Sequence, residues 1–266
     1  MRWPIEAIRQ AVVGDLPGFG VEVLAQIDST NSELMRRARA GQSEPVLLLA
    51  EQQTAGRGRL GRSWLSAQDA RTGAMSSLTF SLGLPLSPRD WSGLSLAVGL
   101  SVAQSLHPDL RLKWPNDLWL HGRKLAGILI ETASCGAARY AVVGVGINIL
   151  PRLDTGLAIA PAWLGELLPG VDAAQALRQI AAPLVQAVSA FELSGFAPFQ
   201  QRFKQLDALA GLALSLSDGT LGTAHGVDGA GALQLQTAQG LKKIISSEVS
   251  VRPWAAPAGQ SLQGHN

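Results

Sequence analysis

Short apolar runs separated by turn residues, between residues 110 and 148, constrain the fold of this chain more than any other feature. The segment LRLKWPNDLWLHGRKLAGILIET divides into three strands, with one turn at Pro-Asn-Asp and another at His-Gly. The run RYAVVGVGIN follows as a buried strand. Consecutive strands joined by tight turns pair in antiparallel fashion. The segment therefore predicts a hairpin-rich sheet and argues against alternating strand–helix–strand units.

Helical patterns flank this sheet in the sequence. The run NSELMRRARAG predicts a helix that begins near Ser29 and ends at Gly41. The run DWSGLSLAVGLSVAQSLH predicts a longer helix that ends before Pro108. The pattern is again helical over residues 172–206, where we expect interruptions at Pro183, Gly195 and Pro198.

The composition changes after about residue 207, where short strands are divided by Asp-Gly and Gly-rich turns. This pattern predicts a small β-barrel over residues 208–254, after a first domain of residues 1–207. Residues 255–266 are expected to form a disordered tail. A barrel of this size leans on a neighbouring domain for its stability. The fold class is therefore α+β, a mixed and largely antiparallel sheet with flanking helices plus a small C-terminal barrel.

Composition excludes several classes of protein. Apolar residues make up 47% of the chain and charged residues 16%, with a formal net charge of +2, so a general nucleic-acid coat is not expected. The single cysteine, Cys135, excludes an intrachain disulfide. The start MRWPIEAIRQ lacks the apolar core of a signal peptide, and no segment approaches the roughly 18 apolar residues of a membrane span. We expect a cytoplasmic protein with no membrane partner.

The stretch TAGRGRLGRSW, residues 54–64 and here called the arginine loop, contains the spacing G-x-G-x-x-G of dinucleotide-binding proteins. That fingerprint requires a following helix, whereas the residues after the loop have no helical stripe and SLTFSL predicts another strand. The loop instead carries Arg57, Arg59 and Arg62. Guanidinium groups can grip phosphate oxygens in pairs, and glycine permits close approach. A phosphate site is predicted, with a solvated basic turn or an RNA-binding patch as alternatives.

Two further stretches could carry chemistry on the predicted hairpins. KWPND places a cation, a large ring and a rigid turn beside Asn116 and Asp117. Lys124 follows in RKLAG, where a lysine held near a packed interior can meet developing phosphate or carboxylate charge. An ordinary hairpin corner and a lysine that only reaches out to solvent are the alternatives.

Two shorter motifs border the same sheet. DSTN, residues 28–31, is either a helix N-cap or a donor–acceptor cluster for a neutral polar ligand. GVGIN, residues 144–148, ends a buried strand and is either a strand–turn junction or a close approach to a flat ligand.

The order of these motifs resembles the biotin protein ligases. The matching residues are DSTN, then EQQTAGRGR-x-GR-x-W, then KWPND with RKLAG behind it, and then GVGIN, over residues 24–149. The resemblance is weaker through the later helices and the barrel. It implies a fold like that of class II synthetases and biotin–lipoate ligases, with an SH3-like barrel. It also implies the monofunctional type without an N-terminal DNA-binding domain, because the first matching strand begins by about Val21.

The resemblance implies a two-step reaction. In that family the carboxylate of biotin attacks the α-phosphate of ATP, which gives biotinyl-5'-AMP and pyrophosphate. The biotin then passes to a specific lysine of a biotin carboxyl carrier protein. ATP and Mg²⁺ are the implied cofactors, no DNA partner is expected, and a homodimer is left open.

The resemblance also assigns roles to site residues. Lys124 would lie where the carboxylate meets the phosphate, Arg59 would belong to the loop that closes over the adenylate, and Asp117 would deprotonate the acceptor lysine. Metal ligands are not assigned. The wider binding set is Ser29, Thr30, Asn31, Gln53, Gly56, Arg57, Gly58, Arg59, Trp64, Asn116, Lys124, Gly127 and Asn148.

Two rival functions and one departure accompany this interpretation. A lipoate- or octanoate-protein ligase shares the architecture, and a non-catalytic anion- or RNA-binding module could be built on the arginine loop. KWPND with RKLAG, and the polar DSTN motif, favour biotin. Where relatives carry Asn-Leu-Tyr, this chain has Met75, Ser76 and Ser77, so a wall of the pocket is expected to differ if that strand lines it.

Overall fold

The computed structural model describes residues 3–66, 73–135, 138–151, 159–245 and 250–254. These residues form a seven-stranded sheet and a five-stranded sheet accompanied by five α-helices. The predicted α+β class, with a largely antiparallel sheet and a small C-terminal β-unit, is confirmed. The predicted tail of residues 255–266 lies outside the described residues. Among the described residues, no α-helix combines the length and the apolarity that a membrane span requires.

The larger sheet contains the predicted hairpins. Its strands are β1 (Gly20–Ile27), β2 (Val46–Gln53), β3 (Ser77–Leu86), β4 (Arg111–Lys113), β5 (Asp117–Leu120), β6 (Arg123–Cys135) and β7 (Ala138–Asn148). They lie in the order β1-β2-β3-β7-β6-β5-β4. The β1–β2 pair is parallel, and the other pairs of this sheet are antiparallel. The β4–β5–β6 meander turns at the Pro-Asn-Asp and His-Gly positions that the sequence indicated.

Helices cover both faces of this sheet. They are α1 (Ile5–Val12), α2 (Thr30–Arg39), α3 (Leu94–Leu106), α4 (Ala173–Ser194) and α5 (Gln200–Leu206). Helix α2 packs on β2, β3, β6 and β7, whereas α3 and α4 pack together against the opposite face. The alternation along β3 explains this division, because Leu78, Phe80 and Leu82 join the large core under α3 and α4. The intervening Ser77, Thr79 and Ser81 therefore lie on the α2 face.

Two helical features differ from the sequence-based expectation. Helix α4 runs without a break through Pro183, although proline removes a helix hydrogen bond. Ile180 and Leu184 are fully buried on either side of Pro183, so packing against the core outweighs the local cost. Helix α1 was not expected, and it is held by burial of Ile8 and Val12.

The C-terminal strands form a separate antiparallel sheet. They are β8 (Ala213–Leu216), β9 (Leu221–Val227), β10 (Leu233–Thr237), β11 (Gly240–Ile244) and β12 (Val251–Pro253), in the order β11-β10-β9-β8-β12. Leu214 and Leu235 belong to the same hydrophobic cluster as the core of the larger sheet. The buried indole of Trp114, in KWPND, donates to the carbonyl of Gly231 at 3.0 Å. The C-terminal unit thus packs on its neighbour, and the domain boundary at residue 207 stays a prediction.

Asp207 lies where the chain passes from α5 towards the C-terminal sheet. Its Oδ1 accepts a hydrogen bond from the Leu209 N–H at 2.9 Å. Its Oδ2 is buried and has no hydrogen-bond partner within the part of the chain that the structure describes. Burial raises the pKa of Asp207, and the Leu209 N–H only partly opposes this. The carboxylate form is therefore disfavoured in the folded protein.

We predict that Asp207 lowers stability as the pH rises. Because its pKa is higher in the folded than in the unfolded chain, the folded state binds the proton more tightly. The free energy of unfolding of Asp207→Asn, relative to that of the wild type, should therefore be higher at about pH 7 than at about pH 4, which is near the pKa of an exposed aspartate. Chemical denaturation at both pH values measures the difference. An equal effect of the substitution at both pH values would contradict the prediction.

Candidate active site

An open cleft of about 1050 Å³ crosses the α2 face of the larger sheet. Its walls come from the start of α2, the arginine loop, β3, β6, β7 and residues 250–252 at the C-terminal sheet. Gly56 and Asn148 do not line the cleft. The other predicted site residues do, and they are Ser29, Thr30, Asn31, Gln53, Arg57, Gly58, Arg59, Trp64, Asn116, Asp117, Lys124 and Gly127.

One end of the cleft is an uncharged hydrogen-bonding cluster at the start of α2. Ser29 is the N-cap of α2, and its hydroxyl accepts a hydrogen bond from the Ser32 N–H at 3.4 Å. The Thr30 N–H donates to Gln53 Oε1 at 2.8 Å, and the Thr30 hydroxyl oxygen lies 3.2 Å from the same oxygen. Ser29 therefore caps the helix and also lines the cleft, so the two interpretations of DSTN are compatible.

The amide of Asn31 is fixed by its partners at the same end. Its Oδ1 accepts from the Ser81 hydroxyl at 2.6 Å. Its Nδ2 donates to the Leu129 carbonyl at 3.2 Å and to Glu131 Oε2 at 3.0 Å. Since acceptors surround the nitrogen and a hydroxyl donor faces the oxygen, the orientation of this amide follows from the network.

Glycines on β7 make room for the side chains that form the floor. Ser81 pairs with Gly144 and Thr79 pairs with Gly146. A Cβ atom at Gly144 would lie 2.1 Å from Asn31 Oδ1, and one at Gly146 would lie 2.3 Å from Trp64 Cε2. A close approach, one of the two alternatives left open at GVGIN, is thus made here by two of the protein's own side chains. Direct contact between these glycines and a ligand stays a prediction.

The arginine loop folds back on itself. The Trp64 N–H donates to the Gly56 carbonyl at 2.8 Å, and the Gly58 N–H donates to the Arg62 carbonyl at 2.7 Å. A Cβ atom at Gly56 would lie 2.3 Å from the Trp64 carbonyl oxygen, so only glycine allows this closure. Leu60 at the tip has a φ of 55°, in the left-handed region. In this structure the glycine at position 56 is therefore needed for the loop to fold back on itself.

Two arginines of the loop reach opposite sides of the cleft. Arg57 Nη2 donates to Glu131 Oε1 at 2.8 Å. Arg59 Nη1 donates to Asn116 Oδ1 at 3.2 Å. Burial lowers the pKa of the Arg59 guanidinium, and the charge of Asp117 works against this shift. An anion bound beside Arg59 would offset the cost of burying it.

The other end of the cleft concentrates positive charge around one carboxylate. Lys124 Nζ lies 2.7 Å from Asp117 Oδ1, across the β5–β6 pair. Burial lowers the pKa of Lys113; Asp117 opposes this, and the neighbouring cations, including Lys124, add to it. Lys113 Nζ also lies 5.1 Å from the centroid of the Trp119 ring. The end opposite the uncharged cluster is thus suited to a multiply charged anion.

Several residues of this charged end were not in the binding set that the family resemblance implies. They are Lys113, Arg62, Ser250, Val251 and Arg252. Lys113 opens KWPND and Arg62 closes the arginine loop, so both lay inside motifs that had been singled out. Arg62 Nη2 donates to Ser250 Oγ at 2.9 Å, which ties the loop to the C-terminal sheet. The contribution of residues 250–252 could not be found from the sequence, because a contact across nearly 190 residues leaves no local pattern.

Asn148 lies beyond the cleft lining. Its Nδ2 donates to the Ala162 carbonyl at 3.0 Å, and its Oδ1 is buried without a partner among the described residues. The lining of the cleft therefore does not support the predicted binding role of Asn148, although its buried Oδ1 keeps an unused acceptor. Met75, Ser76 and Ser77 are also absent from the lining, so they do not form the altered wall that was anticipated.

Comparison with known proteins places these features in a family. Residues 23–148 match the Biotin/lipoate A/B protein ligase family, and residues 213–252 match the Biotin protein ligase C terminal domain. The chain is 35% identical to the Bifunctional ligase/repressor BirA of Escherichia coli over 264 residues, which is 94% of this chain and 79% of that protein. It is 33% identical to the Biotin--[acetyl-CoA-carboxylase] ligase of Paracoccus denitrificans, over 85% of this chain and 98% of that protein.

A solved structure shows the same fold. The biotin protein ligase from Aquifex aeolicus in complex with biotin and ATP superimposes with a TM-score of 0.73 and 28% identity, over 88% of this chain and 99% of that one. Because the two domain matches and a relative of comparable length agree, this chain belongs to the biotin protein ligase family.

Proposed function

We propose that this chain is an ATP-dependent biotin–protein ligase, which activates biotin as biotinyl-5'-AMP and transfers it to a lysine of a biotin carboxyl carrier protein. One observation carries the proposal, namely a single cleft with an uncharged hydrogen-bonding end and a strongly cationic end. Biotin has a neutral ureido head and an anionic tail, so it matches both ends in one orientation. The names of the relatives, biotin--[acetyl-CoA-carboxylase] ligases, support the same activity and imply a carboxylase carrier as partner.

The ureido head would lie at the start of α2. A cyclic urea offers one carbonyl acceptor and two N–H donors, and needs neutral partners of both kinds. Ser29, Thr30, Asn31 and Gln53 supply them, and each is at least nine-tenths buried. Because Gln53 Oε1 already accepts from Thr30, the Gln53 amide presents a fixed orientation to the ligand. Such preorganised polar groups would distinguish a ureido ring from a plain acyl chain.

The first step would take place between Lys124 and Arg59. The biotin carboxylate and the α-phosphate of ATP repel each other, and bonding of the carboxylate oxygen to phosphorus expels pyrophosphate. Fixed cations offset this repulsion and stabilise the charge that develops on the phosphate. Lys124 Nζ now pairs with Asp117, so a bound anion would draw it away from that carboxylate. Asp117 would then be free to accept the proton of the incoming lysine in the second step.

The triphosphate would extend towards Lys113, Arg62 and Arg252. The lowered pKa of Lys113 reflects burial together with nearby positive charge, and phosphate oxygens would reverse that balance. Mg²⁺ would be held mainly by those phosphates and by water, with Asp117 as the carboxylate of this part of the cleft. When bound, Mg²⁺ would neutralise phosphate charge.

The rival functions are less well supported. The first family match includes lipoate ligases, but the C-terminal match is to the biotin protein ligases. No comparison favours a non-catalytic anion- or RNA-binding module. A homodimer, the lack of a DNA partner and a cytoplasmic location stay predictions.

The proposed function predicts ATP–pyrophosphate exchange that depends on biotin. Purified protein with ATP and Mg²⁺ should exchange label when biotin is added, because adenylate formation is reversible, and should not do so with lipoate or octanoate. Exchange with lipoate or octanoate in place of biotin would mean that the protein is a lipoate- or octanoate-protein ligase. A lack of exchange with all three acids would leave the fold without this chemistry.

Lys124→Ala should reduce biotin-dependent exchange by about a hundredfold, because it removes a cation beside the reacting groups. Circular dichroism should show an intact fold, since the side chain is 42% exposed. Lys204→Ala, at an exposed position on α5, is the matched control and should exchange normally. Normal exchange by Lys124→Ala would mean that this lysine pairs with Asp117 but does not assist adenylate formation.

Arg59→Ala should release biotinyl-adenylate about tenfold faster than the wild type. The half-buried guanidinium joins the arginine loop to Asn116, so its loss would loosen the loop over the bound intermediate. Release is measured by trapping free adenylate with an excess of a primary amine. Arg9→Ala, on the exposed face of α1, serves as the control. An unchanged release rate would mean that Arg59 does not hold the loop closed over the adenylate.

A further inference from the structure

Glu131 is a carboxylate that contacts both the arginine loop and the uncharged end of the cleft, although it is not one of the lining residues. Its Oε1 accepts from Arg57 Nη2 at 2.8 Å, and its Oε2 accepts from Asn31 Nδ2 at 3.0 Å. Arg57 belongs to the arginine loop, and Asn31 belongs to the uncharged end. Each oxygen therefore holds a different part of the site.

The contact on the uncharged side continues through a chain of hydrogen bonds. Asn31 Oδ1 lies 2.6 Å from Ser81 Oγ, and Ser81 Oγ lies 2.7 Å from the Thr30 hydroxyl. Thr30 in turn bonds to Gln53. The residues proposed to hold the ureido head are thus connected, through buried polar groups, to the carboxylate of Glu131. Partly buried networks of this kind fix the orientation of each member.

The contact on the loop side is an ion pair of unequal exposure. The side chain of Glu131 is 20% exposed and that of Arg57 is 49% exposed. Arg57 Nη1 also lies 3.3 Å from Ser32 Oγ on α2. A fully solvated pair would contribute little to the position of the loop. Here the carboxylate is held by β6 and by Asn31, so the pair anchors the loop to a fixed point.

We propose that Glu131 is a positioning residue that couples the arginine loop to the uncharged end of the cleft. The inference rests on the proposed function. A ureido head bound at Thr30 and Asn31 would add a partner to the Asn31 amide, which the network already orients, and would so strengthen the hold of that amide on the Glu131 carboxylate that faces Arg57. Binding of the neutral head would thereby favour closure of the loop over the adenylate. A carboxylate is suited to this role because both of its oxygens only accept hydrogen bonds.

Glu131→Gln tests the coupling, because a glutamine offers one acceptor oxygen where two donors, Asn31 Nδ2 and Arg57 Nη2, require acceptors. Release of biotinyl-adenylate should become about five- to tenfold faster, and the KM for biotin should rise, since a charge-assisted hydrogen bond is lost. The kcat of adenylate formation should stay within about twofold, because Glu131 does not touch the reacting groups. A fall in kcat with unchanged release would overturn the proposal.

Glu22→Gln is the matched control. It removes the Glu22–Arg37 ion pair between β1 and α2, also 2.8 Å long, at a site that does not line the cleft. Its release rate should equal that of the wild type. Equal release by Glu131→Gln and Glu22→Gln would overturn the proposal.

Arg57→Met approaches the same contact from the exposed side of the ion pair. If Glu131 acts through Arg57, the double variant should release adenylate no faster than the faster single variant. Effects that multiply would mean that the two residues act independently, and would overturn the coupling. If Glu131→Gln does not fold, Arg57→Met alone must reproduce the faster release.

Measurements on the wild-type protein distinguish a failure of the proposed function from a failure of the role of Glu131. If it forms no adenylate from biotin and ATP, the proposed function fails before Glu131 is considered. If it forms and retains adenylate while Glu131→Gln retains it equally well, only the role of Glu131 fails.

Discussion

The pairing of β3 with β7 fixes both the hydrophobic core and the cleft. Its register sets Ser81 opposite Gly144 and Thr79 opposite Gly146 on one face, while Phe80 and its apolar neighbours join the core on the other. A slip of one residue would turn the apolar set towards the cleft and bury the hydroxyls in the core. The two glycines let Asn31 and the Trp64 indole lie directly on the sheet. The polar floor, the position of α2 and the closure of the arginine loop all follow from this register.

Charge is distributed unevenly on this scaffold. The whole chain carries a formal net charge of +2, yet the far end of the cleft combines three arginines and two lysines with Asp117. Burial and mutual repulsion make this arrangement unfavourable for Lys113, as its lowered pKa indicates. Anionic substrates would remove that cost on binding. The uncharged end stays neutral, so a ligand with one neutral and one anionic end has a single favourable orientation.

Sequence reasoning predicted the fold class, and all but two of the predicted site residues line the cleft, because both depend on local patterns. The hairpins followed from turn residues between apolar runs, and the arginine loop and KWPND were visible as unusual clusters. The features that the sequence did not predict depend on contacts between residues that are distant in sequence. Residues 250–252 reach the cleft only because the C-terminal sheet packs on Trp114 and Arg62. The helix persists at Pro183 because its neighbours are buried, and Glu131 bears no motif that would indicate its two partners.

The central claim is that one cleft activates biotin and delivers it to a carrier lysine. The most direct test is the intact mass of a biotin carboxyl carrier domain after incubation with this protein, biotin, ATP and Mg²⁺. The account predicts the addition of one biotinyl group to one lysine, and no addition when ATP is omitted. A carrier that stays unmodified here, while a control biotin ligase modifies the same preparation, would contradict it.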